Sequence, residues 1–174
     1  RSFSSNPNIV STIGDLFIDQ FHQNGIGTVI KHIPGHGLSK VDSHFKLPII
    51  KKDLKYLMKS DFHSFKKKNS PFSMTAHIIY NKIDAKYPAT HSREIIKLIR
   101  NKIGYKNILL SDDISMKSLK FSIAKNTIQA FTAGCNIVMH CNGKLKEMTM
   151  VANNSPRIDN FILKKTYQFY DIIS

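Results

Sequence analysis

Asp112 closes the run ILLSD (residues 108–112), at the mouth of an apolar segment. A carboxylate there is an expensive residue unless it does chemistry or holds a ligand. Asp113 follows it directly, so a plainer reading also stands: the two acids cap the segment that comes next. Asp42 and His44 lie two apart in a polar loop. An extended backbone puts both on one side, close enough for a carboxylate to orient an imidazole for proton transfer. Such triplets also arise by chance in solvated loops. Further polar groups are Lys31-His32, His77, and the stretch His140 to Asn142. His32 and His36 have the spacing of a helical metal pair, but Pro34, Gly35 and Gly37 forbid the helix that would align them, so no metal is expected. His22 and His63 fall in helical stretches and read as surface or boundary residues.

These groups matter only if the chain brings them together. Asn6-Pro7 is a helix start, followed by Val10, Ile13, Phe17 and Phe21 at helical spacing until Asn24-Gly25. Residues 27–32 (GTVIKH) read as a buried strand closed by Pro34-Gly35, and a polar loop runs from His36 to Lys46. A helix over 53–65 ends at Asn69-Ser70-Pro71, and residues 72–77 (FSMTAH) are the second strand. After a loop containing Asp84 and Pro88, Ser92 caps a helix with Ile95, Ile96 and Ile99 on its buried side, ended by Gly104. Residues 108–112 are the third strand, 124–133 a helix stopped by Gly134, and 136–140 (NIVMH) the fourth strand. A last helix is expected over about 159–172.

Strands alternating with helices predict an α/β fold of βα units on a parallel sheet with right-handed crossovers. Four units are half of a (β/α)8 barrel, which typically needs about 250 residues. The expectation is therefore a partial (β/α)8 TIM-type barrel, roughly its second half, as one domain over 1–174. Lys31-His32, His77, Asp112-Asp113 and His140 to Asn142 then all fall on the C-terminal rim, where parallel α/β folds carry their sites.

With 174 residues and 41% apolar composition, the chain belongs with soluble globular proteins. Apolar runs reach only strand length, well below the roughly 20 residues of a membrane span, so no membrane partner is expected. Nothing at the N-terminus resembles an export signal, which fits a cytoplasmic location. Cys135 and Cys141 make neither a disulfide framework nor a zinc site and are expected as buried free thiols. The formal charge of +14 could attract nucleic acid. However, the lysines are scattered, apart from Lys66 to Lys68 in a loop, and no basic helix is recognisable. The excess reads as compositional habit, and no nucleic-acid partner is expected.

The motifs KHIPGHG (31–37), DSH (42–44), MTAHIIY (74–80) and LSDDISM (110–116), together with RSF at the start, form an ordered set. In combination they resemble the bacterial β-N-acetylglucosaminidases of glycoside hydrolase family 3, over residues 1 to about 142. The resemblance implies retaining hydrolysis of terminal β-linked N-acetylglucosamine. Asp112 matches the nucleophile, His44 the acid/base with Asp42 orienting it, and Arg1, Lys31 and His32 residues that bind the sugar. No cofactor is implied. The substrate would be a peptidoglycan-derived saccharide met in cell-wall recycling, although a chitin fragment is also compatible. A neutral histidine repels phosphate less than a carboxylate would, so phosphorolysis is open. Ile33 replaces a usual Phe, Asn136 stands where the family tends to have Asp, and residues 117–126 match poorly. The first βα units of the family are absent from this sequence. A second chain supplying the missing barrel half is therefore an expected partner, or else the chain is an inactive remnant. Exposed sheet edges and self-association follow from either.

Overall fold

The computed structural model describes residues 3–41, 43 and 46–174. Six strands and six α-helices are described: α1 (Pro7–Gln23), β1 (Val29–Ile33), β2 (Ile49–Ile50), α2 (Leu54–Lys59), β3 (Phe72–Thr75), β4 (Ile79–Tyr80), α3 (Arg93–Leu98), β5 (Ile108–Asp113), α4 (Ile123–Ala133), β6 (Ile137–Met139), α5 (Leu145–Asn153) and α6 (Asn160–Ile173). β1, β3, β5 and β6 form one parallel sheet in that order, so each strand neighbours the next long strand in the chain. This is the expected half-barrel arrangement.

Local chemistry explains where the helices start. Asn6 accepts the Asn8 amide at 2.9 Å with Pro7 in the first turn of α1, Asp53 accepts the Tyr56 amide at 2.7 Å, and Asp159 accepts the Ile162 amide at 2.8 Å. α4 ends on Gly134 at φ +117°, a backbone state that favours glycine, and a Cβ there would also meet Ile96 Cγ2 at 2.9 Å.

Several details differ from the sequence expectation. The helix expected over 53–65 stops at Lys59 and gives way to a turn and a short 3₁₀ segment (His63–Phe65). Ser92 caps α3 as expected, but the helix widens into a π-helical turn over Ile99–Ile103 before Gly104. Two short strands, β2 and β4, pair in parallel as a separate sheet. α5 also appears between β6 and α6, and its N-cap Lys144 makes no side-chain cap bond.

The core lies between the sheet and α3 and α4, around Leu57, Phe62, Tyr80, Ile95, Ile99, Tyr105 and Leu109. α6 lies near the N-terminal end of the sheet. Phe169 meets Phe72 edge-on at 5.0 Å, and Phe161 lies 5.9 Å from the Arg100 guanidinium. In α1, the series Val10, Ile13, Phe17 and Phe21 is not buried; Ile18 is. Phe17 and Phe21 instead line an open apolar groove of about 490 Å³ against β1, whose far edge has no strand partner among the described residues. No helix among the described residues is long and apolar enough to cross a membrane. Cys135 is buried, as expected, but Cys141 is exposed, because the chain after β6 runs out along the rim.

The lysine run is more than loop decoration. The Lys68 side chain is buried and donates to Ser11 O (2.9 Å), Ser11 Oγ (2.7 Å) and Asp15 Oδ2, tying the loop before β3 to α1. Asp15 is half exposed, which weakens the pair by solvent screening. Asp15→Ala is expected to cost about 1–2 kcal/mol, read as a lower urea midpoint at unchanged slope.

Candidate functional site

β1 brings Lys31 and His32 to the rim, and β5 brings Asp112 and Asp113 there beside them. His32 Nε2 stands 3.8 Å from Asp112 Oδ2, too far for a direct hydrogen bond but close enough for strong electrostatic coupling. The Asp112 side chain is 14% exposed, so its carboxylate is partly withdrawn from water yet accessible from the rim. Asp112 Oδ1 accepts the Asp113 amide at 2.8 Å, which leaves Oδ2 as the oxygen turned towards His32. Asp113 is differently engaged: its carboxylate accepts the Ser115 amide and hydroxyl and the Cys141 amide at 2.7–3.2 Å. The two acids therefore divide the work, with Asp113 bracing the loop after β5 and Asp112 facing the site. The capping reading fits Asp113 and not the outer oxygen of Asp112.

Burial lowers the pKa of His32 below its usual value. The charge of Asp112 opposes this, whereas His36, Lys31 and His77 push it lower still. The peptide bonds Lys31–His32 and Ile33–Pro34 are both cis. A groove of about 930 Å³ opens at Lys31 and His32 and runs past His36 to Asp61 and Tyr56. Asp61, which the sequence reading missed, receives the Leu38 amide at 3.2 Å, and a Cβ on Gly35 or Gly37 would come within about 3 Å of its side chain. Burial raises its carboxyl pKa, with the Leu38 bond and His36 acting the other way. An acid directly after a helix end carries no sequence signal for this contact.

Arg1, Asp42 and His44 lie outside the described residues. Their neighbour Ser43 is buried, and its hydroxyl meets His36 Nε2 at 3.2 Å. At the end of β6, His140 Nε2 and Asn142 Nδ2 both meet the Glu147 carboxylate, so the sequence-noted stretch His140 to Asn142 holds α5. Asn136 lies at the opposite end of β6, where its Oδ1 accepts from Arg100 Nη2 (2.7 Å) and the Leu109 amide (2.9 Å). Its departure from the family pattern therefore concerns the floor of the sheet and not the rim. His22 and His63 are half-buried, as read from the sequence. Among the described residues no group of three His, Cys, Asp or Glu could hold a metal ion.

Residues 1–164 match the glycosyl hydrolase family 3 N terminal domain. The chain belongs to that family. A β-hexosaminidase of Actinobacillus pleuropneumoniae serotype 5b is 33% identical over 149 residues, 82% of this chain and 43% of the relative. One from Haemophilus influenzae is 28% identical over all of this chain and 55% of its own length. NagZ from Neisseria gonorrhoeae, solved in complex with N-trifluoroacetyl-D-glucosamine, superposes with a TM-score of 0.84 at 26% identity, over 99% of this chain and 52% of that one. This family 3 chain thus spans about half the length of such relatives, and its four-stranded sheet corresponds to part of their barrel domain.

Behind the rim of this family 3 half-barrel lies a second histidine with a pH signature. Burial lowers the pKa of His91 to about 4, with His77 nearby pushing the same way and the Asn126 backbone opposing. An unfolded histidine titrates near 6.5, so between about pH 6.5 and 4 the unfolded chain binds a proton that the folded one refuses. The stability His91 contributes is full above this window and is lost as pH falls through it, by about 3 kcal/mol in all. Urea midpoints at pH 7 and pH 4.5 check this, and His91→Asn is expected to flatten the dependence.

Proposed function

We propose that this chain carries the nucleophile side of a retaining β-N-acetylhexosaminidase site, acting on terminal β-linked N-acetylglucosamine of peptidoglycan-derived fragments in the cytoplasm. The observation that carries the reading is the Asp112 carboxylate, which turns Oδ2 onto the rim beside His32 while Asp113 is committed to the loop. In the first step Asp112 Oδ2 bonds to the anomeric carbon as the glycosidic C–O bond breaks, and protonated His44 gives its proton to the leaving oxygen. In the second, neutral His44 takes a proton from water, the water oxygen bonds to the anomeric carbon, and Asp112 is released. Asp42 orients His44. Lys31, His32 and Arg1 bind sugar hydroxyls, and a His32 kept neutral by burial can do so without forming a tight ion pair with the nucleophile.

One observation favours a second reading, in which the site works only when further βα units complete the barrel. β1 and β6 are open sheet edges among the described residues, and Phe17, Phe21, Ile26 and Val29 expose apolar surface on the β1 side. Those units would come from the same polypeptide or from a companion chain.

Release of p-nitrophenol from its β-N-acetylglucosaminide tests both readings. It is measured for the chain alone and for the chain joined to the first half of the Haemophilus influenzae relative. Turnover by both forms supports the first reading, and turnover by the joined form alone supports the second. A folded joined form without turnover would overturn the proposed function.

A further inference from the structure

β5 keeps only part of its backbone ladder where it carries Asp112. Its register with β3 runs Phe72 to Ile108, Ser73 to Leu109 and Met74 to Leu110, and goes no further. On its other side the pairing with β6 breaks register between Leu110 and Asp113, where Ser111 Oγ takes the Met139 amide at 2.9 Å, and resumes as the Ile114 amide donates to the Met139 carbonyl at 3.0 Å. Asp112 therefore sits in a gap of the ladder, beyond the last pair with β3 and inside the register break with β6, where side chains must supply what regular pairing does not.

Three fully buried side chains stand at this spot: Thr75, His77 and Thr90. Thr75 ends β3, His77 lies two residues beyond, and Thr90 sits in the 3₁₀ turn Ala89–His91. The Asp112 amide donates to Thr75 Oγ1 at 3.2 Å. Thr75 Oγ1 meets Thr90 Oγ1 at 2.8 Å, and Thr90 Oγ1 meets His77 Nδ1 at 2.8 Å. His77 Nε2 meets the Asp113 carbonyl at 2.9 Å. A carbonyl can only accept, so Nε2 carries a hydrogen. In a neutral ring Nδ1 then accepts from the Thr90 hydroxyl, Thr90 accepts from Thr75, and Thr75 accepts from the Asp112 amide. Each proton has a place, and the chain begins and ends on the backbone either side of the peptide bond joining Asp112 to Asp113.

We propose that Thr75, Thr90 and His77 form a buried hydrogen-bond relay that positions the nucleophile, gripping Asp112 by its N–H and Asp113 by its carbonyl. Thr90 is the hub, since its hydroxyl meets both other members and also lies 3.3 Å from the Ala76 carbonyl. None of the three is a catalytic residue; they act by fixing where Asp112 Oδ2 stands. The inference rests on Asp112 being the nucleophile. Buried polar groups that satisfy one another in this way hold geometry more tightly than apolar packing does, because breaking one bond strands its partners. Misplacing a nucleophile by about 1 Å can cost on the order of 100-fold in rate.

Thr90→Val keeps shape and removes the hydroxyl, whereas Thr90→Ser keeps the hydroxyl and removes a methyl. Thr90→Val is expected to lower kcat about 10- to 100-fold with KM within about twofold, and Thr90→Ser to retain kcat within about threefold. Amide hydrogen exchange at Asp112, followed by NMR on the same chains, is expected to speed up in Thr90→Val and stay slow in Thr90→Ser. A purely structural Thr90 predicts that both variants track thermal stability with no kcat-specific loss, and that result overturns the proposal. Unchanged exchange at Asp112 in Thr90→Val overturns it as well. A wild-type form without turnover sinks the functional reading instead, and the exchange measurement then decides alone whether the relay holds the strand end. Should Thr90→Val fail to fold, His77→Gln, whose amide can still donate to the Asp113 carbonyl, is read against His77→Leu in the same two measurements; equal behaviour of the pair overturns the proposal.

Discussion

Asp112→Asn will lower turnover of an aryl β-N-acetylglucosaminide by at least about 10⁴-fold while leaving the chain folded. The substitution is nearly isosteric. An asparagine Oδ1 can still accept the Asp113 amide, and the Thr75 hydroxyl still receives the amide of residue 112, so the strand end keeps its support. The charged oxygen that faces His32 is lost, and a neutral amide is a poor nucleophile towards an anomeric carbon. Binding of N-acetylglucosamine itself is expected to change only a few fold, because Lys31 and His32 are untouched. Asp113→Asn provides the contrast. It removes a charge that braces Ser115 and the Cys141 amide, so its loss should fall on stability as well as rate.

Phe62→Ala will cost about 3–5 kcal/mol and disturb the site from a distance. Phe62 is fully buried and meets Tyr80 edge-on at 5.0 Å, and the Tyr80 hydroxyl donates to the Gly35 carbonyl in the loop after β1. Its chain neighbour Asp61 holds the Leu38 amide of the same loop. Removing the ring opens a cavity beneath both contacts, so the loop that leads from His32 towards Asp42 and His44 should lose order along with stability. Chemical denaturation gives the energy, and Phe62→Leu is expected to cost about 1–1.5 kcal/mol.

The four long strands and the rim they share were legible in the sequence because each strand is a short apolar run ending in a charged or polar group. The rim position of Asp112 was legible for the same reason, since it closes the apolar run ILLSD at the end of β5. What escaped was of four physical kinds. β2 and β4 are two residues each, too short for any periodicity to register. α5 has no buried residue and no side-chain cap, so neither its face nor its start marks it. The relay through Thr75 and Thr90 depends on hydroxyls 15 residues apart that meet only because β3 and the following 3₁₀ turn fold back together. Lys68 escaped because it sits in a lysine run that reads as solvated, yet its ammonium is enclosed by α1. Asn136 shows the reverse case: a departure noticed in the sequence proves to sit beside Arg100, at the end of the sheet away from the rim.

The most direct test of the nucleophile is covalent trapping. A 5-fluoro-β-N-acetylglucosaminyl fluoride forms a glycosyl-enzyme readily and releases it slowly, so the form that turns over substrate should accumulate one added sugar, located by peptide mass spectrometry. The label is expected on Asp112 and is expected to be absent from the Asp112→Asn variant. A label on another residue, or continued turnover with no covalent species and inverted product, would contradict that assignment.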